Sequence, residues 1–131
     1  MRQEIDLHGV HIVLLSSITE VRACDRDAVV VSGSHGGASV VDYALRYPLR
    51  GVFFNDAGVG KDLAGIVSLA ELERHGLAAG AVAHISARIG DAEDGFLCGW
   101  LSHLNGPARA SGLREKDLLR DAIPRCFGRT G

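Results

Sequence analysis

The chain is built around three short apolar runs, each followed by a small polar loop and then by apolar residues spaced three and four apart. Continuous apolar runs ending in glycine or serine predict buried strands, and three-and-four spacing predicts helices that lay one face against them. The first unit has the strand Ala28 to Ser32, a loop to Gly37, and a helix with Val41, Ala44 and Leu45 on one face until Pro48 stops it. The second has the strand Gly51-Val52-Phe53-Phe54 and the loop Asn55-Asp56-Ala57-Gly58-Val59-Gly60-Lys61. Asp62 is then the predicted N-cap of a helix that buries Leu63, Ile66, Val67 and Ala70 and ends at Gly76. The third has the strand Ala78 to His84, the loop Ser86-Ala87-Arg88-Ile89-Gly90, and Asp91 as N-cap with Asp94 at the third helical position. Its helix would bury Phe96, Leu97, Trp100, Leu101 and Leu104 and stop at Gly106-Pro107.

Before these units, Val10 to Ser16 reads as a further strand, with Ser17 to Val21 as its extension or a short edge strand. After them, Leu113 to Ile123 reads as an amphipathic helix closed by Pro124, and Arg125 to Gly131 as a frayed tail. The repeated strand-loop-helix grammar predicts one α/β domain over residues 1–131, with its core in 10–106 and the last helix at about 113–123. The sheet is expected to be mainly parallel with right-handed βαβ crossovers, Rossmann-like or caspase-like, and covered on both faces or closed by a partner copy. Outer strands that need cover predict a homo-oligomer.

Composition narrows the functions. Residues of type Lys and Arg number 14 against 16 Asp and Glu, so no basic stripe is offered to a phosphate backbone and nucleic acid is not an expected partner. No apolar run has membrane-spanning length and the start lacks a secretory layout, so a cytoplasmic protein without membrane contact is expected. Cys24, Cys98 and Cys126 are far apart and form no C-x-x-C pair, which points to free thiols; Cys98 is expected to pack inside the third helix. His8, His11, His75 and His103 follow no metal-binding spacing, and neither a metal nor a cofactor is predicted: the Gly58-Val59-Gly60-Lys61 stretch is no complete P-loop, and no G-x-G-x-x-G is present.

The chemistry gathers in the loops. In a parallel sheet, strand-to-helix loops emerge at one edge, where ligands bind in open α/β folds. The expected site there has His35 as general acid or base, Asp56 as its partner, and Ser34 as nucleophile or, with the Gly36 and Gly37 amides, as binder of developing negative charge. Asn55, Gly58, Gly60, Lys61, Ser86 and Arg88 complete it as substrate-binding positions, with Lys61 and Arg88 anchoring an anion near the helix amino termini. His84, at the end of the third strand, is assigned to the same cleft or to a buried hydrogen-bonded imidazole.

The order strand, Ser34-His35-Gly36-Gly37, helix, and then Val52-Phe53-Phe54-Asn55-Asp56-Ala57-Gly58 resembles the core of caspase-type peptidases over about residues 28 to 85. There a histidine followed by glycine ends one strand and a nucleophilic cysteine ends the next; His35 matches the histidine, while Asp56 or its neighbours stand where the cysteine belongs, so thiol chemistry is not implied. The strings SGSHGG, NDAGVGKD and SARIGDA also resemble those of an uncharacterised family of small bacterial α/β proteins, which implies no activity. Two functions remain open: a hydrolase or other acid/base enzyme acting on an anionic, carbonyl-type small molecule, and a non-catalytic anion-binding or subunit-interaction module.

Overall fold

The computed structural model describes residues 1–128. Strands β1 (Arg2–Leu7) and β2 (Val10–Leu15) form an antiparallel hairpin around His8 and Gly9, whose φ angles of 51° and 80° suit a tight two-residue turn. β3 (Val29–His35), β4 (Gly51–Asn55) and β5 (Ala78–Val82) follow parallel to β2, and β6 (Leu101–Leu104) returns antiparallel beside β5. The strands lie in chain order, β1-β2-β3-β4-β5-β6, giving one small α/β domain with a mixed, mostly parallel sheet. β1 is the strand that carries no signal in the apolar pattern, since its side chains are exposed or half-buried.

That order decides which face each connection covers. Every parallel step moves one strand in the same direction, so right-handed crossovers put all the connections on one side. On that side Val13, Leu15, Val30, Val52 and Phe54 pack with Ile18 and Val21, with Ala44 of α1 (Val41–Ala44), and with Leu69 and Leu72 of α2 (Ser68–Arg74). The opposite face carries Ile12, Leu14, Val29, Val31 and Phe53. It is covered by segments that follow β5: Phe96 of α3 (Ala92–Cys98), Ala108 of α4 (Gly106–Ala110), and Leu119, Ala122 and Ile123 of α5 (Leu119–Phe127). Both faces are therefore closed within one chain. β4, β5 and the Val29–Val31 part of β3 are buried on both sides, which is why they read as apolar runs.

Several local expectations are corrected. Ser17 to Val21 is not a strand: Ser17 caps a 3-10 turn at Ile18–Glu20. Asp62 does not cap a helix; it has φ 56° inside the 3-10 turn Lys61–Leu63, and α2 begins only at Ser68. The segment between folds back on itself through Val59 N–H to the Asp56 carbonyl and Gly65 N–H to the Val59 carbonyl, which leaves Leu63 and Val67 exposed. The third helix ends at Cys98, and Leu101 to Leu104 is a strand, because Gly99 adopts extended angles and turns the chain back along β5. Leu97 and Cys98 are consequently exposed rather than packed. Gly106-Pro107 opens α4 instead of ending a helix, a position where proline's missing N–H costs nothing. The final helix starts at Leu119 instead of the predicted Leu113 and runs four residues past the predicted Ile123 stop, with Pro124 inside it, held by the burial of Leu119, Ala122, Ile123 and Phe127. Of the tail, Arg125–Phe127 is helical and positions 129–131 lie outside the described residues.

Candidate active site

The three loops meet at the carboxyl edge of the parallel strands. Gly36 N–H donates to the Gly65 carbonyl (2.8 Å) and the Gly36 carbonyl accepts from Ser68 N–H (2.9 Å), which joins the first loop to the second. Gly90 N–H donates to the Gly33 carbonyl (2.6 Å), which joins the third loop to the first, and Asp56 N–H donates to the Val82 carbonyl (2.8 Å). Gly33 makes the closest of these approaches possible: a Cβ there would lie 2.6 Å from the Gly90 carbonyl carbon and 2.7 Å from Asp91 N. It stands in an irregular stretch of β3, where Val31 pairs with Phe53 and His35 with Asn55, so three β3 residues oppose Phe54 alone.

Most of the polar residues expected to face a ligand are instead used to hold these loops. Ser34 Oγ pairs with Ser32 Oγ at 2.5 Å, so the structure gives it a second hydroxyl, not an imidazole, as partner. The Gly36 and Gly37 amides are spent on the Gly65 carbonyl and on His35 Nδ1 (2.9 Å), and they do not form a seat for negative charge. Buried Asn55 donates to the Ala87 carbonyl (3.0 Å) and accepts from Ala57 N–H (2.8 Å). Ser86 donates to the Ala83 carbonyl (2.7 Å) and accepts from Trp100 N–H (3.1 Å), and Gly60 N–H donates to the Gly58 carbonyl. The amino terminus of α3 is occupied by its own carboxylates: Asp91 accepts from Asp94 N–H, and Asp94 from Arg88 N–H, both within 2.9 Å. The expected helix-end anion seat is thus filled by the chain itself. Lys61, Arg88 and His35 remain exposed on the three loops.

Asp56 is the centre of the site, with partners other than His35. Its carboxylate is buried, and Oδ1 accepts from Gly58 N–H (2.8 Å), His84 N–H (3.0 Å) and His84 Nδ1 (3.1 Å). Oδ2 accepts from Ser102 Oγ at 2.7 Å, and Ser102 Oγ lies 2.9 Å from His103 Nδ1. Gly58 presents its bare Cα to the His84 ring, where a Cβ would sit 3.7 Å from Cε1. Ser102 reaches the carboxylate because β6 is bulged: His103 pairs with Ala81 and Leu101 with Val82, so Ser102 has no partner of its own and its side chain is re-aimed. Burial is the largest influence on the Asp56 carboxyl and acts to raise its pKa. The bonds from Ser102, Gly58 and His84 together outweigh it and hold the group below the usual carboxylate range.

An ionised carboxylate only accepts, so these contacts assign the tautomers. His84 carries its proton on Nδ1, directed at Asp56, and its Nε2 is left as a lone-pair acceptor on a ring whose side chain is 53% exposed. His35 has the opposite arrangement: Nδ1 accepts from Gly37 N–H, so the neutral ring carries its proton on Nε2. One imidazole is set to take a proton, the other to donate a hydrogen bond.

Ser102 and His103 are the site residues that pattern reading passes over; for His84 it leaves two places open, the cleft or a buried imidazole. His84 had a usable signal, since it follows the strand tip next to Asp56. Ser102 and His103 had none, because their segment carries helical spacing. Among the described residues no group of three or more His, Cys, Asp or Glu side chains is placed to hold a metal ion, and no helix is long and apolar enough to cross a membrane. The fold and this hydrogen-bonded edge define a small α/β domain with a carboxylate-imidazole pair at its strand tips. Comparison with protein families, curated proteins and solved structures returns no match for the chain.

Proposed function

We propose that this chain is a small cytoplasmic acid/base catalyst of the hydrolase type, acting on a carbonyl compound that carries an anionic group. The observation that supports it is the half-exposed His84 ring, held by a buried carboxylate at Nδ1 so that Nε2 is free to take a proton. In the reading, His84 Nε2 removes a proton from water as its oxygen bonds to the carbonyl carbon. The imidazolium that forms is stabilised by Asp56, and the proton then passes to the leaving group as its bond to carbon breaks. His35 serves as hydrogen-bond donor to the carbonyl oxygen through Nε2, a revision of the general acid or base role expected of it. His35 ends β3 and His84 follows β5, on either side of β4, which is a span of about 10 Å at the usual strand spacing and leaves room for a small molecule. Lys61 and Arg88, on the second and third loops, anchor the anion. Kinship with the caspase-type core rests on His35 and on the parallel β3–β4 pair. Self-association is assigned to the outer edge of β1, which among the described residues pairs with β2 alone; a monomeric mass by sedimentation at micromolar concentration opposes it.

The test is release of 4-nitrophenolate from a panel of 4-nitrophenyl esters with and without a terminal carboxylate. Wild-type turnover with preference for the carboxylated esters is expected, falling about 100-fold or more in His84→Ala and about 10-fold in His35→Ala. Wild-type turnover that His84→Ala leaves unchanged refutes the mechanism. Saturable binding of the carboxylated compounds without turnover identifies a binding module instead.

A further inference from the structure

Asp56 serves two imidazoles, one directly and one through a hydroxyl. Ser102 has a single hydroxyl proton, and an ionised carboxylate at 2.7 Å is its strongest acceptor. With that proton committed to Asp56 Oδ2, the Ser102 oxygen is left as an acceptor, and His103 Nδ1 at 2.9 Å must be the donor. The chain of bonds therefore runs from His103 Nδ1–H to Ser102 Oγ–H to the Asp56 carboxylate, and from the other side His84 Nδ1–H to the same carboxylate. From this geometry we infer that Ser102 and His103 are positioning residues for His84, forming a second arm through which the protonation of His103 sets how strongly Asp56 holds the His84 ring. The inference rests on the reading of His84 as the base and adds its regulation.

The physical coupling has two parts. Protonated His103 places a positive charge near Oδ2, with Nδ1 4.0 Å from it, and so competes with His84 for the same negative charge. It also polarises the Ser102 hydroxyl toward Asp56, which draws electron density away from the Oδ1 side. Both effects weaken the hydrogen bond between His84 Nδ1–H and Asp56 while His103 is charged. Asp56 approaches His103 from the tip of β4 and is shared with His84, and Glu115 acts on His103 from the connection before α5, where Arg109 holds Glu115 at 2.7 Å and Lys116 is adjacent. Three features make this arm more than a chance surface contact: the bulge that re-aims Ser102, the partial burial of both Ser102 and His103, and the single proton that fixes the direction of the relay.

The experiment is a pH titration of the ring nitrogens by long-range 1H–15N NMR on the full chain, which needs no substrate. In the wild type, His84 and His103 should both show the Nδ1-protonated neutral form, which is the minority tautomer of free histidine. His103→Gln keeps an amide able to donate to Ser102 but carries no charge, and should move the His84 Nδ1–H proton resonance downfield, the bond to Asp56 having lost its competitor. Ser102→Ala should return His103 to the Nε2-protonated form and move the His84 Nδ1–H proton resonance downfield, because a carboxylate that loses one donor accepts more strongly from the other. Ser102→Thr, which retains the hydroxyl, should restore the wild-type pattern. An Nε2-protonated His103 in the wild type, or a His84 Nδ1–H resonance that none of the variants alters, overturns the inference while leaving the Asp56–His84 pair standing. An Nε2-protonated His84 overturns the pair itself and with it the proposed function.

Discussion

Replacing Asp56 by asparagine keeps the shape of the side chain and removes the charge on which the strand tips converge. The wild-type carboxylate accepts four hydrogen bonds, from Gly58 N–H, His84 N–H, His84 Nδ1–H and Ser102 Oγ–H, at 2.7 to 3.1 Å. The asparagine oxygen at the Oδ1 position can still accept from the two backbone amides, but its NH2 group faces the Ser102 hydroxyl as a donor. Bonds to a charged acceptor contribute about 1.5–3 kcal/mol and those to a neutral one about 0.5–1.5. Burial of the charge opposes them and is the largest single influence on the carboxyl, so much of the difference is offset. A net loss of about 1–3 kcal/mol is expected, or about 3–10 °C in Tm for a domain of this size.

The pH dependence identifies the cause. Hydrogen bonding leaves the folded-state pKa of Asp56 below its unfolded value, so the unfolded chain binds the proton first as pH falls. The stabilisation is complete above the unfolded value, near 3.9, and disappears as pH drops through the folded value. Asp25, which is also depressed, is present in both proteins and cancels in their difference. Urea unfolding followed by far-ultraviolet circular dichroism, from about pH 7 to about pH 2.5, should show a wild-type advantage that is full at the upper end and shrinks toward zero at the lower. An advantage constant across that range, or none at the upper end, would show that the carboxylate charge does not hold the site.

Substitutions at three further places test the rest of the fold. Arg2→Met leaves the fully buried Asp25 carboxylate without the guanidinium that donates to both its oxygens, and should cost about 3–5 kcal/mol by chemical denaturation, with most of that recovered when Asp25 is made leucine as well. Asn105→Ala removes bonds to four backbone groups, at Leu69, Leu77, Ala79 and Ala108, and should lower stability by about 3 kcal/mol or more; Asn105→Asp should be nearly as harmful, since a carboxylate cannot donate to the Leu69 and Leu77 carbonyls. Gly33→Ala puts a Cβ against the backbone of Gly90, Asp91 and Ser16, the last at 2.9 Å, and should cost about 3 kcal/mol and raise amide exchange at Gly90; an unchanged Tm would contradict the contact.

The sequence by itself determined the parallel centre of the fold and the edge where its loops gather. Runs such as Val29 to Val31 and Val52 to Phe54 are apolar at every position because both faces of those strands are buried, a constraint that acts locally and so is written locally. It also determined Asp91 as a cap and Asp56 as a strand-tip carboxylate. Only the tertiary structure decided which histidine Asp56 holds. A hydrogen-bond partner is chosen by side-chain direction across strands: Asp56 meets the His84 ring, while His35 Nδ1 accepts from its own loop at Gly37. The same holds for Leu101 to Leu104, whose apolar spacing suits a helix and a strand alike until Gly99 turns the chain against β5. That turn carries Ser102 and His103 to Asp56 from 46 and 47 positions along the chain, a distance over which no local pattern carries information.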